Sequence, residues 1–264
     1  MKTAFRILPL IAAMALPGRL PAAEVNFSRY FTNKDGCFLL YDMKSDQFLQ
    51  RFNEKRCALR YAPCSTFKVP LSLMAFDQGI LQDENTTYRW DGVDRGRPQV
   101  NRDTSAADWI KNSVLWYSQR LTPQLGPDKI KKYLAQFDYG NQDISGGLTT
   151  FWLGSTLKIS ADEQLRFWER FWRGELPVSR HAVDVTRKII YLETSASGME
   201  LSGKTGSHTT DKQELGWFVG HVAGPKGEYL AVVNYTGPTV PTKEYPGLIA
   251  KGICTAILGN LRLY

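Results

Sequence analysis

Apolar and polar positions divide the chain into strands near both ends and helices between them. From Ser65 onward, apolar residues recur at intervals of three and four, which predicts a helix that ends near Gly79. A further helix is expected after Thr104 or Ser105, either of which could be its N-cap. The segments with helical periodicity are "KVPLSLMAFDQGIL", "TSAADWIKNSVLWYSQRL", "GPDKIKKYLAQF", "SADEQLRFWERFW" and, closing the chain, "PGLIAKGICTAIL".

Strand patterns occur on either side of this helical middle. The pair "CFLLYDM" and "FLQRFN", joined by "KSDQ", predicts a β-hairpin, and "GMELSGKTGS", "ELGWFVGHVAG" and "EYLAVVNYTG" predict an antiparallel meander. The chain is therefore expected to be α/β (α+β), with an antiparallel sheet built from both chain ends, flanking terminal helices and an inserted all-helical domain. We predict a sheet domain over residues 24–64 and 196–264 and a helical domain over residues 65–195, with an active site in the seam.

The first residues have the composition of an export signal. Lys2 and Arg6 precede the apolar run "ILPLIAAMAL", and small residues follow up to Ala23. This layout predicts a signal peptide over residues 1–23; a short amphipathic helix is the alternative, which two prolines disfavour. No later segment approaches the roughly 18 apolar residues of a membrane span. We expect a periplasmic protein that has no contact with the membrane after the signal is cleaved.

Composition and charge limit the classes of partner. The hydrophobic fraction of 43% is ample for a packed core, which argues against a disordered chain. The net charge of +7 falls to +4 without the three cations of the predicted signal, and it is spread without a long basic block. This distribution does not indicate nucleic acid, although it suits small anionic ligands. We expect small-molecule substrates and a monomer or weak dimer.

Cysteine and histidine spacing gives no metal signature. The three histidines are far apart, and no C-x-x-C pair occurs, so neither a metal site nor a thioredoxin-type site is expected. Cys37 and Cys57 lie on what we predict to be neighbouring strands, and an oxidising compartment would permit a disulfide between them; the sequence leaves this open. Cys64 is interpreted as a small packing residue.

Ser65 and Lys68 form the first candidate catalytic pair. At positions i and i+3 near the start of a helix their side chains share one face, and the helix N-terminus favours an oxyanion there. A serine needs a base to become a nucleophile, and lysine can be that base only when burial keeps it neutral. The S-x-x-K pattern alone is weak, because two polar residues on an exposed helix would look the same. Neither G-x-S-x-G nor a P-loop motif is present.

A second motif strengthens the pair. "KTG" places Lys204, Thr205 and Gly206 on a predicted strand, where the glycine would let a substrate approach the backbone. The N–H of Ser207 could complete an oxyanion hole with that of Ser65. S-x-x-K followed by K-T-G is the signature of penicillin-recognising serine enzymes. A serine from the helical domain should complete such a site: Ser113 and Ser118 compete for this position, and the context "SVLW" favours Ser113.

These motifs together resemble a known family, the class D or oxacillinase-type serine β-lactamases. The resemblance extends over essentially the whole mature chain. It rests on "GCFLLYD", "STFK", "SLMAFD", "SVLW", "FDYGNQD", "WLGSTLKIS", "GKTG" and "GWFVG", in the order of the family. The S-D-N motif and the loop glutamate of class A relatives are not found in the matching places.

The resemblance implies a role for each motif residue. Ser65 would be the acylated nucleophile, and Lys68 would be its general base, carrying carbon dioxide as an N6-carboxylate (carbamate) with no other cofactor. Trp152 would donate its indole N–H to the carbamate. Ser113 would pass a proton to the β-lactam nitrogen, aided electrostatically by Lys204.

The substrate carboxylate is expected to bind Thr205 and Ser207. Two departures from the family pattern affect this region. Leu115 replaces the valine of the S-x-V motif; it would still keep the carbamate dry, but its bulk could change the access of water. The arginine that many members use for the carboxylate is absent from "NYTGPTVPTKEYPGLIAKG", which makes Thr236 a further candidate ligand.

Three functions share the S-x-x-K and K-T-G motifs. They are a periplasmic hydrolase that confers resistance by opening β-lactams, a penicillin-binding transpeptidase or carboxypeptidase, and a β-lactam-sensing receptor domain. All three would be acylated by penicillin, and only the hydrolase would release its acyl group rapidly. The short chain and the tryptophan of "WLGSTLKIS" favour the hydrolase.

Overall fold

A single six-stranded antiparallel sheet organises the chain in the computed structural model, which describes residues 25–240 and 244–264. The predicted signal peptide lies outside the described residues. The strands are β1 (Asp35–Asp42), β2 (Gln47–Phe52), β3 (Thr87–Tyr88), β4 (Thr104–Ser105), β5 (Tyr191–Thr194), β6 (Glu200–Thr209), β7 (Gln213–Gly224) and β8 (Gly227–Pro238). The sheet has the order β2-β1-β8-β7-β6-β5, while β3 and β4 pair separately. Strands from both chain ends thus form one sheet, as predicted.

Helices cover both faces of this sheet. They are α1 (Glu54–Cys57), α2 (Lys68–Asp77), α3 (Ala106–Lys111), α4 (Leu115–Leu125), α5 (Pro127–Phe137), α6 (Ala161–Arg173), α7 (Arg180–Ile189) and α8 (Pro246–Asn260). Short 3-10 turns lie at Phe27–Tyr30, Cys64–Phe67 and Pro98–Val100. None of the helices within the described ranges has the length and hydropathy of a bilayer-spanning segment.

The alternation of side chains along each strand produces two cores. Leu39 and Val219 face the helical region, where they belong to a large core shared with α2 to α7. Their chain neighbours Phe38 and Phe218 face the opposite way and pack with α8 and the 3-10 turn at Phe27–Tyr30. Because successive strand residues point to opposite faces, strands buried on both sides must be apolar throughout. The apolar runs of β1, β7 and β8 fulfil this requirement.

Most predicted elements are confirmed. β1 and β2 form the hairpin, with Phe38 opposite Phe52, and β6, β7 and β8 form the meander. Ser160 is the N-cap of helix α6: its side chain accepts from the N–H of Glu163, while the Glu163 carboxylate accepts from the N–H of Ser160. This reciprocal capping satisfies two N–H groups that would otherwise lack partners at the helix start.

Two predicted helices are wrong in detail, and both errors lie beside the candidate site. The long helix expected after Ser105 is broken into α3 and α4, because Ser113 has a φ of 53°, outside the helical range. Ser65 lies in a 3-10 turn, and regular helix begins only at Lys68.

The cysteine pairing is also corrected. Cys57 lies in α1 and not on a strand, and all four cysteines are free thiols buried in the described part of the chain. The disulfide left open by the sequence is therefore absent. A hydrogen bond with Cys57 and burial together raise the pKa of the Cys37 thiol well above its usual value.

Candidate active site

The turn before α2 brings Ser65 and Lys68 together. Their spacing of three residues places them on one face, and the Lys68 amine lies 3.4 Å from Ser65 Oγ. The preceding residue, Cys64, has a φ of 51°, and its N–H donates to the carbonyl of Trp152 at 3.0 Å. A non-glycine residue is strained in this left-handed region and is held there by its surroundings. The backbone turn at Cys64 thus fixes the position of Ser65. The Cys64 thiol itself is buried, and this burial raises its pKa to about 12.

Burial sets the chemistry of Lys68. The side chain is 1% exposed, and desolvation lowers the pKa of its amine well below the usual value. The positive charges of Lys204 and Arg97 lower this pKa further, in that order. A lysine in such a position is disposed to be neutral and can act as a base near neutral pH.

A second pair faces the first across the seam. The Lys204 amine on β6 donates to Ser113 Oγ at 3.2 Å, and it also lies 3.2 Å from the carbonyl oxygen of Thr205 and 3.4 Å from its hydroxyl. Burial lowers the pKa of Lys204 to about 7. The turn that holds Ser113 and the strand that holds Lys204 come from opposite sides of the seam. The structure therefore brings together the serine and the lysine that the sequence separates by 91 positions.

A cleft of about 630 Å³ opens beside this second pair. The β6 residues Gly203, Lys204 and Thr205 form one wall, Ala107 and Lys111 of α3 form another, and parts of α7, β5 and α8 complete the rim. A cleft of this volume accommodates a small organic molecule. Of the two pairs only Lys204 lines this cleft, so the predicted location of an active site in the seam stays a prediction.

Trp152 packs against the 3-10 turn that contains Ser65. Its side chain is fully buried, and its ring is stacked on that of Phe67 with centroids 5.6 Å apart. The ring of Phe151 packs edge-on against both. The tryptophan thus packs against Phe67, the residue before Lys68, and the donation by its indole N–H to a group on Lys68 remains a prediction.

Gly206 lies in close contact with the Ser65 turn, and its predicted contact with a substrate stays a prediction. A Cβ at this position would lie 2.8 Å from the carbonyl oxygen of Pro63 and 3.2 Å from Cγ2 of Thr66. The glycine therefore lets β6 approach the Ser65 turn. Strand and turn could not both keep their positions with any larger residue.

Three further residues that were predicted to contact the substrate have defined positions in the structure. The Ser207 hydroxyl accepts from the N–H of Gly247 at 2.9 Å, on the α8 side of the strand, and keeps its own proton for a ligand. Leu115 is 38% exposed, so its predicted role above Lys68 stays a prediction. Thr236 is wrong as a candidate: it lies on β8, two strands from β6, where its hydroxyl accepts from buried Arg56 at 3.2 Å.

Arg97 lies near these pairs but is not marked by the sequence. This residue lies in the loop between β3 and β4, and its guanidinium donates to the carbonyl oxygen of Asn112 at 3.2 Å. It is close enough to Lys68 to lower the pKa of that amine. Arg97 belongs to no sequence motif. The only signal for it in the sequence is a cation in the loop that leads toward Ser113.

Metal ligands do not gather near these residues. Across residues 25–240 and 244–264, no group of three or more His, Cys, Asp or Glu side chains is arranged to hold a metal ion. The polar groups that face one another at the seam are hydroxyls and amines, which suit nucleophilic and proton-transfer chemistry.

Comparison with protein families agrees with this arrangement. The family model described as "Penicillin binding protein transpeptidase domain" matches residues 33–259. This match covers every residue of the two pairs and the whole six-stranded sheet.

Individual proteins give a narrower result. Beta-lactamase OXA-1 of Escherichia coli is 38% identical over 269 residues, which cover 98% of this chain and 97% of that protein. The solved structure of class D beta-lactamase BAT-2 is 34% identical, with a TM-score of 0.84, and covers 93% of this chain and 99% of its own. The C-terminal domain of the Bacillus licheniformis BlaR penicillin-receptor is 29% identical, with a TM-score of 0.84, over 91% of this chain and 96% of that domain.

Proposed function

The chain belongs to the class D β-lactamases, which are serine hydrolases, and from this membership we propose that it opens the β-lactam ring of penicillin-type antibiotics through an acyl-enzyme on Ser65. One observation carries the proposal: the buried Lys68 amine, disposed to be neutral, lies 3.4 Å from Ser65 Oγ. A buried base in contact with a hydroxyl is the arrangement that makes serine nucleophilic.

Acylation uses both pairs. Lys68 accepts the proton of Ser65 as Oγ attacks the β-lactam carbonyl carbon. The carbon–nitrogen bond of the ring then breaks, and Ser113 gives its proton to the departing nitrogen. The proton that Lys68 took from Ser65 then passes to Ser113 Oγ, which restores the Ser113 hydroxyl and leaves Lys68 neutral for the next step. Lys204, 3.2 Å from Ser113 Oγ, stabilises the developing charge.

Deacylation requires a base for water. In our proposal Lys68 accepts a proton from a water molecule, and the resulting hydroxide attacks the ester carbonyl. The bond between Ser65 Oγ and the acyl carbon breaks, and the proton held by Lys68 returns to Ser65. Since a protonated lysine cannot perform this step, its buried setting is essential to turnover.

We further propose that Lys68 carries carbon dioxide as a carbamate. The residues fit this group: a neutral amine reacts with carbon dioxide, and the positive charges of Lys204 and Arg97 lie near enough to favour an anion. The carbamate would supply an oxygen base in place of the amine nitrogen. Trp152, which stacks on the neighbouring Phe67, would hold it with its indole N–H.

The proposal places the enzyme in the periplasm, where it would protect cell-wall synthesis and so confer antibiotic resistance. Support comes from the charged, apolar and small-residue regions of positions 1–23.

A second function, β-lactam sensing, is favoured by the similarity to the BlaR penicillin-receptor domain. A sensor and a hydrolase share acylation and differ in the release of the acyl group. Mixing the purified protein with a chromogenic cephalosporin, with and without bicarbonate after removal of carbon dioxide, distinguishes them. We expect many turnovers per enzyme and a rate that rises when bicarbonate is restored.

Two variants sharpen this experiment. Lys68→Ala should abolish turnover, leaving either unmodified protein or a trapped acyl-enzyme visible by mass spectrometry. Lys131→Ala, which removes an exposed lysine on α5, is the matched control and should retain the wild-type rate. A single stoichiometric burst from the wild-type protein would overturn the hydrolase and support the sensor.

A further inference from the structure

The ring carboxylate of a penicillin-type substrate is bound more strongly by a charged donor than by hydroxyls alone. Residues 234–252 contain no arginine. Lys204 is a poor substitute, because burial lowers its pKa to about 7 and leaves it only partly protonated at neutral pH. Arginine keeps its charge throughout this range and can bind a carboxylate with two parallel hydrogen bonds.

Arg97 is positioned between the two sides of the seam. Its guanidinium donates to the carbonyl oxygen of Asn112, the residue before Ser113, at 3.2 Å. On the other side, it lies over the ring of Tyr245, 5.4 Å from the ring centroid. Tyr245 is the N-cap of α8, two residues before Gly247. The Arg97 side chain thus spans from the Ser113 turn to the start of α8.

The start of α8, next to Tyr245, contacts the residues expected to meet the carboxylate. Gly247 donates its N–H to Ser207 Oγ at 2.9 Å, and a Cβ on Gly247 would lie 2.9 Å from the Cβ of Thr205. The start of α8 therefore lies directly against the part of β6 that bears the Thr205 and Ser207 hydroxyls. A cation at the start of α8 can bind the same anion as these two hydroxyls.

The ion pairing of the loop points in the same direction. Arg95 pairs with Asp91 at 2.6 Å, and Arg102 pairs with Asp108 at 3.3 Å. Among the described residues, no carboxylate forms an ion pair with Arg97. A half-buried guanidinium without a carboxylate partner is available to an anionic ligand.

We propose that Arg97 binds the ring carboxylate of the β-lactam together with the hydroxyls of Thr205 and Ser207, and so determines the preference of the enzyme for anionic substrates. This inference rests on the proposed function. The cationic contact with the carboxylate would then come from the loop between β3 and β4, and not from the end of the sheet.

The test compares a chromogenic cephalosporin with its methyl ester, which lacks the negative charge. Arg97→Gln should raise KM for the acid at least tenfold, since one charge-assisted contact is lost, and should change KM for the ester less than twofold. Any change in kcat caused by losing this charge near Lys68 should be the same for the acid and the ester. Arg97→Lys should restore part of the affinity for the acid, because the charge returns without the planar fork.

Arg95→Gln is the matched control from the same loop and should leave both KM values within twofold of wild type. Equal KM changes for acid and ester, or no change for the acid, would overturn the role of Arg97. If the wild-type protein forms an acyl-enzyme without turnover, the hydrolase proposal fails, and the same comparison is then made on acylation rates followed by mass spectrometry. The role of Arg97 and the hydrolase activity are therefore tested independently.

Discussion

The Lys204 amine on β6 donates a hydrogen bond of 3.2 Å to the hydroxyl of Ser113, in the turn between α3 and α4. This bond links the sheet to the helical region at the point where the proton relay is proposed. Ser113 keeps its position with a φ of 53°, which is unfavourable for a serine and is maintained by packing around the turn. The relay consequently depends on the fold on both sides of the seam.

Removing the relay hydroxyl should slow catalysis strongly. Ser113→Ala should lower kcat for a chromogenic cephalosporin by about 10²- to 10⁴-fold, the range typical of a lost general acid. The matched control is Ser118→Ala, which removes the buried acceptor of the Trp109 indole N–H. It should reduce stability by about 1 kcal/mol and leave kcat within a few-fold. Equal losses of activity in both variants would argue against the relay.

Trp152 should control the need for bicarbonate. If its indole N–H holds the carbamate, Trp152→Phe keeps the stacked ring on Phe67 and loses only the donor, so a higher bicarbonate concentration should be required for half-maximal activity. Trp168→Phe is the control, because Trp168 is also fully buried and its N–H has no acceptor among the described residues. A bicarbonate titration of the rate distinguishes them, and identical titration curves for wild type and Trp152→Phe would contradict the role.

Gly206→Ala should damage both stability and activity. The added methyl would meet the Pro63 carbonyl oxygen at 2.8 Å, forcing β6 away from the Ser65 turn. We expect a loss of about 1–3 kcal/mol in the free energy of unfolding and a clear fall in kcat, since overpacking displaces the backbone. Gly252→Ala is the control: it lies in α8 with open space at the Cβ position and should be neutral or stabilising. Denaturant unfolding and steady-state rates measure both effects, and an unchanged stability for Gly206→Ala would refute the close contact.

Buried Arg56 should contribute strongly to stability. Its side chain is 2% exposed and donates to Asp35 at 2.7 Å, Asn234 at 2.8 Å and Thr236 at 3.2 Å. Arg56→Met leaves these acceptors without their donor, and we expect a loss of about 2–4 kcal/mol in the free energy of unfolding. Arg180→Met, which removes an exposed arginine, should change it far less. Similar unfolding midpoints for the two variants would show that the buried network contributes little.

The two buried lysines should make stability depend on pH. The pKa of Lys204 is about 7 in the folded protein and near its usual 10.5 in the unfolded chain. Between these values the unfolded state binds more protons, so the free energy of unfolding should rise with pH, by at most about 1.4 kcal/mol per pH unit for each such lysine. Below pH 7 both states are protonated and this dependence disappears. The lowered pKa of Lys68 acts in the same direction.

This dependence can be measured by urea unfolding at pH 7, 8 and 9 in buffers depleted of carbon dioxide. The wild-type slope should exceed that of Lys204→Met, which lacks the titrating amine. Parallel slopes would show that Lys204 is not buried as a neutral group.

Local patterns determined much of this protein. Strand patterns of apolar residues predicted the hairpin and the meander, and apolar residues at intervals of three and four predicted most helices. Each pattern reflects the face that an element buries. The motifs around Ser65 and Lys204 were likewise visible in the sequence, and the comparisons with known proteins confirmed the family that they indicated. The roles of their individual residues remain predictions.

Tertiary structure decided the features that depend on distant contacts. The left-handed backbone at Ser113 broke a segment whose periodicity was fully helical, because packing from other elements outweighs local propensity. Thr236 was wrong because strand order, set by pairing across the sheet, placed β7 between it and the cleft. The burial that lowers the pKa of Lys68 and the position of Arg97 over the ring of Tyr245 also arise from groups far apart in the chain. Periodicity specifies which residues are buried, whereas the distances between elements follow only from how their faces pack together.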